Sequence, residues 1–444
     1  MSLGIKIRGL IGRIPPHLLV AASAWVSRVV SAATGIFMIR ILTQSLGTQQ
    51  YAAYAIFGGL LGWFCLTDMG LGASLQNHIS ERRAKGESYD QFIAASTVLG
   101  FLSLLFFAMV LFASSGFLGS TVLRKFVFFS YDEKRSNFLI FGLMSIAASI
   151  GGISYRIWFA EQKGYLANLF PAIASVASFI LVVAVSISNN AHSLFWMIIA
   201  GFGPSAVLPL AALVIQVARK ATPVKLKMDI VQPLVKRGLK FWLTGLLASG
   251  VLQVDYLIMS QYLKPSEIVI YNLASKIFLL VYFIYASLLT AIWPNCAEAF
   301  STNSWDVIFG YVRKCLLAGF ILVVIGTLIF IMFKNQIIGV LSPKEVVNVP
   351  VSLILLLGCY YLLRVWCDTF AMILQSMSYL KPFVVYIPVQ AALNITVQIV
   401  LTEKIGLTGV LFGLIISFVI TPVWILPFMV LRKRRQQIEM FNKF

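Results

Sequence analysis

Gln91-Phe-Ile-Ala-Ala-Ser-Thr-Val-Leu-Gly-Phe-Leu-Ser-Leu-Leu-Phe-Phe-Ala-Met-Val-Leu-Phe-Ala-Ser-Ser-Gly-Phe-Leu118 contains no charged side chain. A helix rises about 1.5 Å per residue, and about 20 apolar residues cross the hydrocarbon core of a bilayer. The run is long enough to do so with residues to spare. A strand of a membrane β-barrel would alternate over about ten residues, and this stretch is continuously apolar. It predicts a transmembrane helix.

Similar runs recur on both sides of it. They predict helices at 18–42, 51–71, 91–118, 138–158, 166–187 and 193–217, then at 241–262, 268–292, 315–334, 350–372, 382–401 and 408–431. The chain of 444 residues is 59% hydrophobic and 11% charged, against roughly 45–50% and about 25% in soluble domains. Its mean hydropathy is +0.90. The fold class is an all-α polytopic membrane protein with about 12 transmembrane helices. Lys6, Arg8 and Arg13 before the first run imitate a secretory signal, but the run is too long and contains Arg28. It reads as an uncleaved first helix.

The net charge of +19 would suggest nucleic acid in a soluble protein. Here the basic residues sort by side of the membrane. With the N-terminus in the cytoplasm, 22 of the 35 Lys and Arg fall on the cytoplasmic side, 8 on the other, and five within or at the edge of spans. Cytoplasmic loops collect basic residues, so both termini are expected inside. No nucleic-acid role follows from the charge, although anionic membrane lipid would attract it.

Seven basic residues lie in the polar segment 218–240, which divides the spans six and six. The expected organisation is an N-terminal six-helix lobe at 1–217, a basic cytoplasmic linker at 218–240, a C-terminal six-helix lobe at 241–431 and a basic cytoplasmic tail at 432–444. Matched residues support a repeat. Leu46 and Tyr54 correspond to Leu263 and Tyr271, and Pro171 to Pro388, at an offset of 217; Pro204 and Pro209 correspond to Pro422 and Pro427 at 218. Lobes with an even number of spans share orientation and form parallel repeats, and transporters of this build place substrate between halves that rock. The matched prolines predict a shared bend in the sixth and twelfth helices.

No GxxxxGK[ST] phosphate loop is present, and the longest polar segments run to about 20 residues. ATP hydrolysis and a catalytic domain are therefore not expected, and the chain reads as a non-enzyme. The five cysteines form no CxxC pair and the three histidines stand apart, so no metal or other cofactor is expected. The Asn394-Ile-Thr sequon lies inside an apolar run and reads as meaningless for glycosylation.

Three stretches resemble a known family. Leu46-Gly-Thr-Gln-Gln-Tyr-Ala-Ala-Tyr54 resembles the first external turn of the oligosaccharide-exporting branch of the MATE-like superfamily, with Ala52 where a Gly often follows the Tyr. Leu66-Thr-Asp-Met-Gly-Leu-Gly72, with Asn77 and Glu81-Arg-Arg-Ala-Lys-Gly-Glu87, resembles the end of helix two in Wzx-type O-antigen flippases. Ala291-Ile-Trp-Pro-Asn-Cys-Ala-Glu-Ala299 resembles their Trp-Pro element after helix eight. The resemblance implies a bacterial inner-membrane flippase. Its cargo would be an undecaprenyl-pyrophosphate-linked oligosaccharide repeat unit, moved to the periplasmic leaflet for lipopolysaccharide O-antigen biosynthesis. It also implies coupling to H+ or Na+ and leaves open contact with other polysaccharide-assembly proteins.

Charges within spans cost about 2.5–3.5 kcal/mol each near the centre and usually face a cavity or a partner. Arg28, Arg40, Arg156, Lys276, Arg364, Asp68, Asp255 and Asp368 are the eight here. Arg28 sits mid-span without an acidic residue one turn away, so it is the first candidate for an anionic cargo, with Lys276 and Arg364 as helpers. Arg364 and Asp368 are four apart and share a helix face. Asp255 and Lys276 lie at similar depth on either side of a short turn and are expected to pair. Asp255 and Asp68 are the ion-coupling candidates. A multidrug cation exporter of the same superfamily is the alternative, disfavoured by the basic excess among these eight. A polysaccharide polymerase is disfavoured by the short loops.

Overall fold

A computed structural model describes residues 16–188, 192–220, 227–342, 348–377, 379 and 381–441. Lys6, Arg8 and Arg13 of the basic N-tail, and Lys225, Lys344 and Lys443, lie outside these described residues. Among the described residues the regular structure is helical, with no strand. The chain divides into two compact units, Met1–Leu246 and Leu247–Phe444.

The first unit opens with α1 (Pro16–Phe64). The candidate span containing it, Ser23–Asp68, has 46 residues, or roughly 69 Å of helix. That is more than twice the ~30 Å core, so it must cross twice. The turn is Gly47, at φ 67 and ψ 172, a conformation that glycine adopts without the steric cost a side chain would bring. Ten described helices are long and apolar enough to span, or eleven with one bent pair. Dividing the first at Gly47 restores the twelve that the apolar runs predict.

α3 (Asp90–Val122) shows how the spans pack. Leu102, Leu105, Phe106, Met109, Phe112 and Phe117 are exposed, the face that lipid covers. Its buried face includes Ser96, Gly100, Ser103, Ser115 and Gly119. Small residues inside let neighbouring backbones approach, which is how helices gain contact where the solvent is itself apolar. α4 (Tyr131–Gly151) starts with a capping box at Ser130 and Glu133 and is followed by α5 (Ile153–Ala160), α6 (Gly164–Ser186) and α7 (Leu194–Lys220).

α2 (Leu71–Ala84) and the start of α8 (Met228–Leu252) are locked together within this unit. Ile230 and Leu234 of α8 join Leu75, Ile79, Ile150, Ile153 and Leu213 in one buried cluster. Ser74 donates to the Leu234 carbonyl at 2.8 Å, and Arg237 pairs with Glu81 at 2.9 Å. Gly70 has φ 70, and a Cβ there would stand 2.2 Å from the Gly238 carbonyl oxygen. Residues 228–240 of the basic segment are therefore helical, with one face packed.

In the second unit α8 breaks at Gln253 and Val254 and resumes as α9 (Asp255–Tyr262), bent by 46°. Lys264, 217 residues after Gly47, is extended (ψ 153) before Pro265 opens α10 (Pro265–Ser301). The two halves thus turn at matching places, one with glycine and one with proline at N1, where no amide hydrogen is needed. α11 (Trp305–Met332), α12 (Lys334–Leu341), α13 (Val351–Ser376), α14 (Lys381–Ile405), α15 (Leu407–Ile420) and α16 (Pro422–Phe441) complete the unit. The matched prolines act differently. α7 runs unbroken through Pro204 and Pro209, whereas Pro422 follows a break at Thr421 (φ −113, ψ −86).

Candidate functional site

Arg28 and Asp68 belong to the first unit; Asp255, Lys276 and Arg364 belong to the second. Arg28 is half-buried on α1. In the same unit Asn168 donates to Ser23 at 3.2 Å, and Thr34 and Ser175 share a hydrogen bond. These polar contacts join α1 to α6 on either side of Arg28. Asp68 has a defined structural task. Its two carboxylate oxygens accept the backbone amides of Gly70, at 2.9 Å, and Gly72, at 3.2 Å, which caps the tight turn into α2.

Asp255 is 6% exposed. One oxygen accepts the Tyr271 hydroxyl at 2.7 Å and the other accepts the Gln398 amide at 2.9 Å. No ion pair reaches Asp255 among the described residues. The expected pair with Lys276 does not form, and Lys276 stands exposed. Depth was matched but helical phase was not: Tyr271 is the residue of α10 that faces Asp255, and Lys276, five residues on, is turned about 140° away.

Around this carboxylate the break in α8 is repaired by side chains. Asn394 donates to the Val251 carbonyl at 3.0 Å, and Gln398 donates to the Asn394 side-chain oxygen at 2.9 Å. A carbonyl freed inside a membrane protein needs such a partner. Asn394 and Gln398 are both fully buried at 0% exposure. The sequon asparagine is thus a working part of the second unit. A buried carboxylate with two neutral donors and no counter-charge can hold a proton or a small cation, because burial penalises the bare charge.

Arg364 and Asp368 pair at 2.8 Å as their spacing predicts. The guanidinium also donates to the Tyr360 and Tyr282 hydroxyls, both at 3.3 Å, and lies 4.8 Å from the Tyr282 ring centre. Tyr282 donates in turn to Asp368. Arg364 is committed to these neighbours, so it is not poised for a pyrophosphate in this arrangement. The pair opens on a cleft of about 120 Å³ that Tyr386 and Gln390 also line.

Sequence reasoning named Tyr271 only as a repeat match and passed over Tyr282, Gln390 and Gln398. The signal was present in α14, where Gln390, Asn394, Gln398 and Thr402 recur every fourth residue in a mostly apolar helix. Among the described residues no group of three or more His, Cys, Asp or Glu could hold a metal ion.

Two bundles of spanning helices, turned at matching residues and carrying buried charge, have the build of a MATE-like membrane transporter. The fold matches an inward-facing multidrug resistance MATE family transporter with a TM-score of 0.75, at 13% identity over 95% of this chain and 99% of that one. It matches the lipid II flippase MurJ, inward closed, with a TM-score of 0.72, at 17% identity over 92% and 87%. The MatE family profile matches residues 242–400. A Yersinia pseudotuberculosis protein to which O-antigen export is ascribed is 37% identical, over 94% of this chain and 96% of that one. A Salmonella typhi protein to which O-antigen transport is ascribed is 35% identical over the same shares. The chain belongs to the O-antigen transporter family, the polysaccharide-exporting branch of the MATE-like superfamily. It is a multi-pass membrane transporter and not an enzyme.

Proposed function

We propose that this protein flips an undecaprenyl-pyrophosphate-linked oligosaccharide repeat unit from the cytoplasmic to the periplasmic leaflet of a bacterial inner membrane, for O-antigen assembly. The likeness to O-antigen transporters over 94% of the chain carries this reading. In it both termini and the 218–240 segment are cytoplasmic, and transport runs by alternating access. The guanidinium of Arg28 binds the pyrophosphate, since its planar fork of donors suits phosphate oxygens. H+ or Na+ drives the cycle through Asp255, whose burial and lack of a cationic partner among the described residues favour it over Asp68, already occupied by its turn.

Deletion of the gene in its host tests the function. Surface O-antigen should be lost, and single, unpolymerised lipid-linked repeat units should accumulate on the cytoplasmic face. Repeat units that reach the outer leaflet and remain unpolymerised would contradict flipping and point to a polymerase instead.

A further inference from the structure

Gln390, Asn394, Gln398 and Thr402 are 3%, 0%, 0% and 2% exposed. Four residues advance a helix by about 6 Å and slightly more than one turn, so these side chains form a single polar stripe along α14. Asn394 and Gln398 serve the helix break and Asp255. Gln390 has no comparable task, and its buried Nε2 has no hydrogen-bond partner among the described residues. Leaving a buried donor unpaired costs about 1–3 kcal/mol, so a partner for this amide is worth seeking.

The surroundings of Gln390 narrow the choice. It lines the 120 Å³ cleft with Arg364, Asp368 and Tyr386, and Phe418 and Leu426 add apolar wall. Asp368 spends Oδ2 on Arg364 and Tyr282, while its Oδ1 accepts nothing from the described residues. Because the carboxylate neutralises the guanidinium, the cleft offers no net positive charge to a pyrophosphate. It offers a carboxylate acceptor beside aromatic and aliphatic surface, and the Gln390 amide, buried in its wall, becomes a donor to the cleft once the side chain rotates. Vicinal hydroxyls, each donor and acceptor at once, match the polar pair, and the C–H face of a pyranose matches the walls. At about 10–15 Å³ of cavity space per water, the cleft of about 120 Å³ takes roughly ten water-sized groups, the scale of one sugar ring.

We propose that this cleft of the second unit is a sugar subsite that takes one neutral monosaccharide ring of the cargo through Gln390 and Asp368. The inference rests on the reading of the cargo as a lipid-linked oligosaccharide.

The probe is the repeat-unit oligosaccharide released by mild acid from the lipid-linked intermediates of a deletion strain. Its binding to the purified full-length protein in nanodiscs is measured by calorimetry. Gln390→Met removes the amide at nearly constant shape and should weaken binding about tenfold, the share of one hydrogen bond. Tyr386→Leu, on an independent wall, should weaken it similarly and serves if the first variant does not fold. Both should keep a melting temperature within a few degrees of the parent. If folded variants bind as the parent does, an ordered water alone fills the cleft and the subsite is overturned. The same holds if the parent binds the intact lipid-linked unit but not the released sugar; the flippase reading then stands. A deletion strain without lipid-linked intermediates overturns that reading itself, and the subsite with it.

Discussion

Asp255→Asn separates ion coupling from folding at the second unit's buried carboxylate. The substitution preserves shape but replaces one acceptor oxygen by an amide facing either Tyr271 or Gln398. Tyr271 can rotate its hydroxyl to accept, so at most one hydrogen bond is lost, about 1 kcal/mol. Removing a buried charge that lacks a counter-ion offsets that loss, and membrane abundance should be unchanged. Transport should change far more. One elementary charge moved across 100 mV supplies about 2.3 kcal/mol, and about 1.4 kcal/mol is a factor of ten. If one ion enters per cycle at Asp255, the variant forfeits a driving factor of about fiftyfold. Proteoliposomes carrying lipid-linked oligosaccharide, with and without an imposed H+ or Na+ gradient, read this directly. The parent should respond to one of the gradients and Asp255→Asn to neither. A variant that retains the full gradient response would refute the assignment of the ion to this carboxylate.

Arg28→Ala should be nearly inactive and Arg28→Lys partly active, because lysine keeps the charge and loses the planar fork. Complementation of O-antigen display, with membrane abundance measured alongside, checks this, and full activity of an abundant alanine variant would make Arg28 structural. Gly70→Ala should cost at least the roughly 1–2 kcal/mol of a left-handed backbone, plus the displacement forced by a Cβ 2.2 Å from the Gly238 carbonyl oxygen. Its mark would be reduced abundance and a lower melting temperature in detergent. Reporter fusions at residue 230 and at the C-terminus should both read cytoplasmic, and an external signal at either would overturn the topology drawn from the basic residues.

The spans were legible because hydrocarbon demands long apolar runs whatever their neighbours. Even the turn at Gly47 could be placed between two such runs. The break after Leu252 could not, because Gln253 and Asp255 read as isolated polar residues within the run 241–262 and the break is stabilised by Asn394 from a distant helix. The same limit governed the site. Asp255 stood out as a charge in an apolar run, and the i, i+4 spacing of Arg364 and Asp368 anticipated their pairing. The partner of Asp255 depended on the phase of α10 after the bent α8–α9 segment, and depth along the sequence carried no information about that phase. The four-residue polar rhythm of α14 was visible, but Asn394 was weighed only as a glycosylation site.

The lock between α2 and the start of α8 bears on how the protein is made. Chains emerge from the ribosome N-terminus first, at about 5–20 residues per second. Gly70, Ser74 and Glu81 reach the membrane early, but Leu234, Arg237 and Gly238, which they meet, are synthesised only after the sixth span. Between residue 217 and residue 246 the ribosome spends roughly 1.5–6 seconds at those rates. During that interval six inserted spans await the segment that closes their own core. A chain stopped at residue 217 would therefore leave Leu75 and Ile79 uncovered where Ile230 and Leu234 should lie. The start of the seventh span is a delayed closing piece of the first unit.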